Sequence, residues 1–204
     1  MKDIYALFRH SLAGLRLLVA MTLLLGVAYP LTVTGIARVA FPWHADGSLV
    51  TATGGHTTDV HDAVGSALVG QVSDDAGLFF NRPSAAGDGY DMLSTYGSNL
   101  GPNNPDLVAA IEQRRAAIAE REDVAPSAVP PDAVTASASG LDPDISPAYA
   151  ALQVRRVAAA NGLAVDAVRR LVAENTSGRT WGVLGEPRVD VLMLNIAVRR
   201  LAGS

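Results

Sequence analysis

The hydrophobic pattern divides the chain near residue 38. Between Arg16 and Arg38 it reads LLVAMTLLLGVAYPLTVTGIA, 21 residues without a charged side chain. As a helix this run would measure about 31 Å at 1.5 Å per residue, which matches the hydrocarbon thickness of a bilayer. The pattern therefore predicts a transmembrane helix over 17–37, preceded by a short N-terminus over 1–16 and followed by one extramembrane domain over 38–204.

Small and hydroxylated residues lie in the second half of the predicted span. Pro30 and Gly35 would loosen a helix, but both occur in membrane spans whose neighbours satisfy the backbone. Thr34 and Gly35 would let another helix approach closely. We therefore expect Pro30, Thr34 and Gly35 to form a helix-packing surface. A cleaved signal peptide, with its cleavage site at 26–28, is the alternative, although the apolar run continues past that site.

The charged flanks predict the orientation of the span. Lys2, Arg9 and Arg16 precede it, whereas only Arg38 follows closely before a predominantly acidic domain. Cytoplasmic segments next to membrane spans carry an excess of basic residues. We therefore expect the N-terminus to lie in the cytoplasm and the extramembrane domain to lie outside.

After Pro42 the hydrophobic periodicity changes. Short apolar runs at 48–50 and 67–69 lie among Gly, Thr and Asp, and they predict brief strands or irregular structure. Stretches rich in Gly, Ser and Pro over 81–107 and 130–147 predict two long loops. Structureless loops of that length are uncommon in compact domains unless they function or make contacts.

Asn104-Pro105 marks the start of a helix, because Asn is a favoured N-cap and Pro is favoured at the first helical position. This helix should end before Pro126. Its predicted apolar face comprises Leu107, Ile111 and Ile118 with Ala110 and Ala117, and its predicted solvated face comprises Glu112, Arg114, Arg115 and Glu120.

Ser146-Pro147 repeats the same start signal, and Asn161-Gly162 supplies a stop. Further helices are predicted over 166–175 and around 189–201. Together these patterns predict a helix-rich α+β fold, with one N-terminal transmembrane helix and a single extramembrane domain that carries the two long loops.

Composition narrows the function. The chain contains no cysteine, which excludes disulfides, thiolate nucleophiles and cysteine-ligated metals. Residues 39–204 carry 12 basic and 19 acidic side chains, a net charge of −7, and this argues against nucleic-acid binding.

Motifs of nucleotide hydrolysis and nucleophilic catalysis are missing from the sequence. No GxxxxGK[ST] or GxSxG pattern occurs, and Lys2 is the only lysine. The run HTTDVHD holds His56, Asp59, His61 and Asp62, but it matches no established ligand spacing. We interpret it as a polar surface turn, and we nominate no catalytic residue and no metal site.

Two further residues leave alternatives open. Arg82, before Pro83, can either position an anion or bond loop carbonyl groups as a structural arginine. Trp181 can either anchor an interface or lie in the core.

Four motifs, in their order, carry a resemblance to a known family. They are FFNRPSA (79–85), YGSNLGPNNPDL (96–107), VTASASGLDPDISPAYAALQVRRVA (134–158) and GRTWGVLGEPRVDVLMLNIAV (178–198). With the N-terminal span, they resemble the KdpC family of the Kdp potassium-transporting P-type ATPase over essentially the whole chain. One departure is that Tyr96 precedes Gly97 where many members of the family carry a glycine pair.

The resemblance implies an accessory, non-catalytic subunit of a high-affinity potassium import pump in the bacterial inner membrane. Its implied partners are a channel-like potassium-translocating subunit, a P-type ATP-hydrolysing subunit and a small single-span subunit. The alternative is a catalytic chaperone that raises the ATP affinity of the hydrolysing subunit in a ternary complex with ATP. The predicted docking or nucleotide loop comprises Arg82, Pro83, Ser84, Ser98 and Asn99, and a plain structural loop is the remaining interpretation.

Overall fold

The chain forms a long N-terminal helix followed by a helix-rich α+β unit, as the sequence predicts. The computed structural model describes residues 2–203, and the chain divides into two units in sequence between Gly47 and Ser48. The predicted N-terminal segment begins at residue 1 and the predicted extramembrane domain ends at residue 204, and both of these residues lie outside the described part of the chain.

The N-terminal helix is longer than the predicted span. Helix α1 (Lys2–Leu23), a π-helical turn (Leu24–Ala28) and helix α2 (Tyr29–Ala40) follow one another, and the short helix α3 (Pro42–Ala45) comes next. The segment Ile4–Ala40 is long and apolar enough to cross a membrane. Its most apolar stretch of 18 residues has a mean hydropathy of 2.0, and none of that stretch is buried. The predicted limits at 17 and 37 therefore stay predictions, since the helix continues on both sides.

Pro30 explains the π-helical turn. Proline has no N–H to donate, and its ring clashes with the carbonyl group four residues earlier, here that of Gly26. Immediately before it, the N–H of Tyr29 donates to the carbonyl of Leu24, five residues back. The hydroxyl of Thr32 also donates to the carbonyl of Ala28 at 2.8 Å. Pro30 thus changes the local hydrogen bonding without ending the helix.

Two small antiparallel sheets belong to the second unit. In the first, β1 (Leu49–Thr51) lies between β2 (His56–Thr57) and β3 (Ala63–Ser66). In the second, β6 (Arg188–Asp190) lies between β4 (Asp144–Ile145) and β5 (Thr176–Ser177).

Of the two apolar runs that predicted brief strands or irregular structure, one forms a strand and the other forms a turn. The apolar run at 48–50 contributes β1, in which Val50 is fully buried. The run at 67–69 forms a turn, because β3 ends at Ser66 and the hydroxyl of that residue accepts a hydrogen bond from the N–H of Leu68 at 3.1 Å.

Helix α4 (Pro105–Glu122) starts and ends as predicted, with the side chain of Asn104 accepting a hydrogen bond from the N–H of Asp106 at 2.8 Å. A 3₁₀ turn (Pro126–Ala128) and the short helix α5 (Pro131–Val134) follow. The faces of α4 are partly different from the prediction. Ile118 is buried, but Ala117 is exposed, because the buried stripe continues through Ala119 and Glu122.

Arg114 is also not simply solvated. Its guanidinium donates to the carbonyl of Val134 at 3.2 Å, since α5 packs against α4. The predicted 130–147 loop therefore holds both a short helix and β4, and it is more ordered than its composition indicated.

The remaining helices follow their capping signals. Helix α6 spans Pro147–Ala160, α7 spans Val165–Glu174 and α8 spans Val191–Ala202. The hydroxyl of Ser146 accepts from the N–H of Tyr149 at 3.0 Å, and Gly162 takes a φ of 64° after the C-cap of α6. Helix α8 begins later than predicted, because Val189 belongs to β6.

The core lies among α4, α6, α7, α8 and the second sheet. Its largest fully buried side chains include Phe79, Ile145, Tyr149, Val157, Val189 and Leu194.

Two side-chain amides fix the chain entering the first long loop. Asn195 accepts from the N–H of Phe79 at 2.7 Å and donates to its carbonyl at 3.0 Å. Gln153, fully buried, does the same for Phe80, at 2.7 and 3.1 Å. Each amide pairs with both backbone polar groups of one residue, as a neighbouring strand would in a sheet.

Candidate functional site

The two predicted long loops are joined through Arg82. One guanidinium nitrogen, Nη1, lies 2.9 Å from Oδ2 of Asp142, and Nη2 donates to the carbonyl of Thr135 at 3.3 Å. The side chains of Arg82 and Asp142 are 23% and 30% exposed, so this ion pair is partly shielded from solvent. Arg82 therefore holds residues 81–107 against the second loop.

Ser84 organises the turn that follows. Its hydroxyl donates to the carbonyl of Gly140 at 2.7 Å, and it accepts from the N–H groups of Ala86 and Tyr90 at 3.1 and 2.9 Å. Pro83 contributes through its carbonyl, which accepts from the N–H of Ser137 at 3.0 Å. All bonding capacity of the Ser84 hydroxyl is thus used within the protein.

Tyr90 closes the same turn from the other side. It adopts a φ of 57°, and its hydroxyl donates to the carbonyl of Arg82 at 2.7 Å. Burial, and then the neighbouring carboxylate of Asp142, raise the pKa of Tyr90 well above its usual value. The hydroxyl therefore stays protonated at physiological pH and remains a donor.

The two loops approach each other too closely for side chains at two glycines. A Cβ on Gly140, which has a φ of 72°, would lie 2.5 Å from the Cβ of Ala86 and 2.9 Å from the carbonyl oxygen of Tyr96. A Cβ on Gly97 would lie 2.7 Å from the carbonyl oxygen of Ala138. The paired loops consequently form one firm element.

The outer part of this element is apolar and exposed. Met92 is 66% exposed, Leu93 is 98% exposed, Tyr96 is 55% exposed and Leu100 is 38% exposed. Large apolar side chains that a rigid loop presents to solvent are typical of surfaces that bind a partner. We call these four residues the apolar loop face.

Ser98 and Asn99 are placed differently from the other three predicted loop residues. Asn99 is exposed and takes a φ of 50°, a left-handed conformation that Asn tolerates. Within residues 2–203, the side chains of Ser98 and Asn99 make no hydrogen bond. The structure therefore brings Arg82, Pro83 and Ser84 into one network, and it leaves Ser98 and Asn99 outside it.

Residues 178–187 form a second exposed apolar element. Thr180 and Leu184 exchange backbone hydrogen bonds of 2.8 and 3.0 Å, and Arg179 binds both carboxylate oxygens of Glu186 at 2.8 Å. The tip carries Trp181, 86% exposed, with Val183 at 71%. Of the two interpretations of Trp181, the core position is wrong, because this closed turn holds the ring away from the core.

The predicted polar turn at His56–Asp62 begins in strand β2 and continues as a turn that is held by its own side chains. Oδ1 of Asp59 accepts from the N–H of His61 at 2.8 Å, and the hydroxyl of Thr57 accepts from the N–H of Asp59 at 3.0 Å. In the part of the chain that the structure describes, no three His, Asp or Glu side chains converge as metal ligands.

The predicted helix-packing residues lie on α2. Pro30, Thr34 and Gly35 are exposed along that helix, and no atom lies within 4 Å of the position of a Cβ on Gly35. The side of the helix at Gly35 is therefore open to a neighbouring helix.

Three residues of this site were not predicted from the sequence. Asp142 and Tyr90 hold the network through contacts 60 and 8 residues away in sequence from Arg82, and Leu93 is the most exposed member of the apolar loop face. The sequence held one signal for a partner such as Asp142. Arg82 is the only basic residue in 81–107, and a partly buried cation needs a carboxylate partner.

Comparison with known proteins matches residues 11–200 to the family described as KdpC: K+-transporting ATPase, c chain. A potassium-transporting ATPase KdpC subunit of Kineococcus radiotolerans is 50% identical over 196 residues, which cover 96% of each chain. The corresponding proteins of Beijerinckia indica and Herpetosiphon aurantiacus are 50% and 48% identical over 181 and 195 residues. These alignments cover 89% and 95% of the present chain, and 88% and 96% of the two relatives.

Proposed function

The chain belongs to the KdpC family of potassium-transporting ATPases, and from this premise we propose that it is a non-catalytic subunit that stabilises assembly of the pump. Its partners are the channel-like potassium-translocating subunit, the P-type ATP-hydrolysing subunit and the small single-span subunit of the same complex. The N-terminal helix anchors it in the bacterial inner membrane. The domain from residue 38 onward lies outside the cytoplasm.

The apolar loop face carries this proposal. Four large apolar side chains on a loop fixed by the Arg82–Asp142 ion pair supply a surface whose exposure costs free energy until a partner covers it. The loop loses little conformational freedom on binding, because it is already held in place by Ser84 and Tyr90. The Trp181 tip offers a second anchor of the same kind, since tryptophan is enriched among residues that dominate binding energy.

Nucleotide binding at the same loop has less support. Phosphate groups are bound by Lys, Arg or converging backbone N–H groups. The only cation in 81–107 is Arg82, which is paired with Asp142, whereas Asp88, Asp91 and Asp106 add negative charge. The basic residues before the membrane helix also favour a domain on the side opposite to ATP.

The test compares two surface variants of the assembled pump. Leu93→Ser removes the most exposed side chain of the apolar loop face, and Val60→Ser, at a site 71% exposed, serves as the matched control. We expect Leu93→Ser to lower the yield of copurified pump subunits at least several-fold and Val60→Ser to leave it unchanged. ATP turnover and KM for ATP, measured per assembled complex, should match the wild type in both.

A nucleotide role would give the opposite result. The yield of the complex with Leu93→Ser would equal that of the control, and KM for ATP would rise while kcat was preserved, which is the mark of lost uniform binding. That outcome would replace the assembly role with the chaperone alternative.

A further inference from the structure

The N-terminal helix ends at a break in the helical backbone. Helix α2 stops at Ala40, and Pro42 opens α3 two residues later. Proline cannot donate an N–H to the preceding turn, and it disfavours helical backbone angles in the residue before it. Phe41 accordingly takes an extended φ of −141°, although its N–H still donates to the carbonyl of Ala37 at 2.7 Å. Phe41 is 60% exposed at this break.

Three aromatic rings gather at the break. The ring of His44 is nearly perpendicular to that of Phe41, with the ring centroids 6.3 Å apart. It also meets the ring of Trp43 edge to face, with the centroids 4.8 Å apart. Contacts of this geometry are favourable between aromatic rings. Phe41 and His44 are exposed and Trp43 is half-buried, and we call these three residues the aromatic cluster.

A charged pair borders the aromatic cluster. Nε of Arg38, in the last turn of α2, lies 3.8 Å from Oδ1 of Asp46, the residue that follows α3. The guanidinium therefore reaches toward the C-terminal end of α3 and away from the uncharged run at 17–37. Arginines near the ends of membrane helices extend in this way toward the lipid headgroups. The uncharged surface of the helix thus ends where aromatic and charged side chains begin.

We propose that the aromatic cluster binds the headgroup region of the lipid bilayer, at its boundary with the hydrocarbon core. Large apolar side chains stay exposed along α2 up to the cluster, among them Ile36 at 61% and Val39 at 87%, so the apolar surface continues into Phe41. Tryptophan is enriched at this depth of a membrane, because its ring is apolar and its N–H is polar. The proposal rests on the placement of the N-terminal helix in the membrane, and not on the assembly role.

The aromatic cluster fixes the depth of a helix that is too long to fix its own. Ile4–Ala40 measures about 55 Å at 1.5 Å per residue, against about 30 Å for the hydrocarbon core. Apolar length alone therefore allows several positions of the helix along the membrane normal. With the aromatic cluster at the boundary, the stretch within the hydrocarbon core ends at Ala40, beyond the predicted limit at 37. Arg38 is accommodated there through its pair with Asp46.

The experiment measures the depth of each tryptophan by fluorescence quenching. The chain contains two tryptophans, so Trp181→Phe leaves Trp43 as the single reporter and Trp43→Phe leaves Trp181. The full chain is reconstituted into phosphatidylcholine vesicles whose acyl chains carry bromine near either the headgroup end or the methyl end. We expect bromine near the headgroup end to quench Trp43 about twofold or more strongly than bromine near the methyl end does. Trp181 should be quenched less than Trp43 by both lipids.

A second pair of variants tests whether the rings set this depth. In the chain that retains only Trp43, Phe41→Ser should lower quenching by bromine near the headgroup end about twofold, because the cluster loses its most lipid-exposed ring. Serine is a favoured N-cap, so α3 can still begin at Pro42. Val39→Ser removes an exposed apolar side chain outside the cluster, and it should leave the quenching unchanged.

Three results would overturn the proposal. The first is stronger quenching of Trp43 by bromine near the methyl end, which would place the cluster within the hydrocarbon core. The second is quenching of Trp43 no stronger than that of Trp181, and the third is equal quenching in Phe41→Ser and Val39→Ser. Copurification of the pump subunits with Leu93→Ser tests the assembly role separately, so the two accounts can fail independently.

Discussion

Glu122 shows what a buried charge needs in this fold. Its side chain has no exposed area, and its carboxylate accepts from Nε of Arg121 at 2.7 Å and from Nε of Arg156 at 3.0 Å. Both guanidinium groups also lie over the ring of Phe80, at 4.2 and 4.6 Å from its centroid. The triad thereby joins α4 and α6 to the start of the first long loop.

Replacing Glu122 should cost much stability. Glu122→Ala leaves two guanidinium groups without a counter-charge in a mostly buried position, and the loss should be about 3–5 kcal/mol of unfolding free energy. Glu120→Ala, at an exposed position on the same helix, should change the unfolding free energy by about 0.5 kcal/mol or less. Urea unfolding of the full chain in detergent measures both. Equal losses in the two variants would show that the triad is not a structural requirement.

Asp190 makes the stability of the domain depend on pH. The sign of this dependence is opposite to that of an aspartate in an ordinary ion pair. Its carboxylate caps α8 by accepting from the N–H of Met193 at 2.8 Å, and it lies across the second sheet from Asp144. Burial in the first place, and the charge of Asp144, raise the pKa of Asp190 to about 6. The folded state therefore holds a proton between about pH 4 and 6 that the unfolded state has released.

It follows that the contribution of Asp190 to stability is present below about pH 4 and is lost as the pH rises through 6. Asp190→Asn stays neutral and can still cap the helix. We expect this variant to be more stable than the wild type at pH 8, by about 1–3 kcal/mol, and to match it near pH 4. Asp166→Asn, at an exposed carboxylate, is the control. A stability difference that did not change between pH 4 and 8 would contradict this assignment.

At the scale of elements, the local signals predicted helices well and the contacts between loops not at all. Asn104-Pro105, Ser146-Pro147 and Asn161-Gly162 act within a few residues of themselves, so the helix boundaries could be read from the chain. Strands of two to four residues form only where a partner pairs with them, and this is why the sequence left strand and irregular structure as open alternatives at 67–69. The Arg82–Asp142 pair joins residues 60 apart, which no local pattern encodes.

The paired loops should depend on Gly140. A side chain there would require a left-handed φ of 72° and would meet Ala86 and Tyr96 at less than 3 Å. Gly140→Ala should therefore destabilise the domain by about 1–3 kcal/mol and raise hydrogen exchange in the apolar loop face. Gly178→Ala is the matched control, because its Cβ would meet no atom within 4 Å. Unchanged exchange in Gly140→Ala would show that the close approach does not hold the loop.

The membrane helix has its own prediction. If α2 packs against a helix of another subunit, Gly35→Leu should lower copurification of the pump, because the larger side chain keeps the two backbones apart. Membrane insertion should be unaffected, since leucine is favourable in a bilayer. Gly14→Leu, at another open glycine with no atom within 4 Å, is the control. Normal assembly of Gly35→Leu would mean that the span serves only as an anchor.

The whole chain combines features that suit an assembly role. An acidic domain without a metal-like cluster in its described part follows an apolar helix, and two rigid elements, the apolar loop face and the Trp181 tip, present large apolar side chains to solvent. The family could be recognised from sequence motifs, because those motifs include the loop residues themselves. The direction in which the loop presents Leu93 depends on the fold and appeared only in the structure.

The absence of cysteine makes one measurement decisive for the central claim, docking of an outside domain through the apolar loop face. Leu93→Cys and, as control, Ala173→Cys at an exposed site on α7 each introduce a single thiol. Intact cells are treated with a membrane-impermeant thiol reagent, with the chain expressed either alone or together with the other pump subunits. We expect both thiols to be labelled without lysis when the chain is alone, and only Leu93→Cys to be protected in the assembled pump. Labelling that required lysis, or a Leu93→Cys thiol labelled equally fast in the pump and alone, would contradict the account.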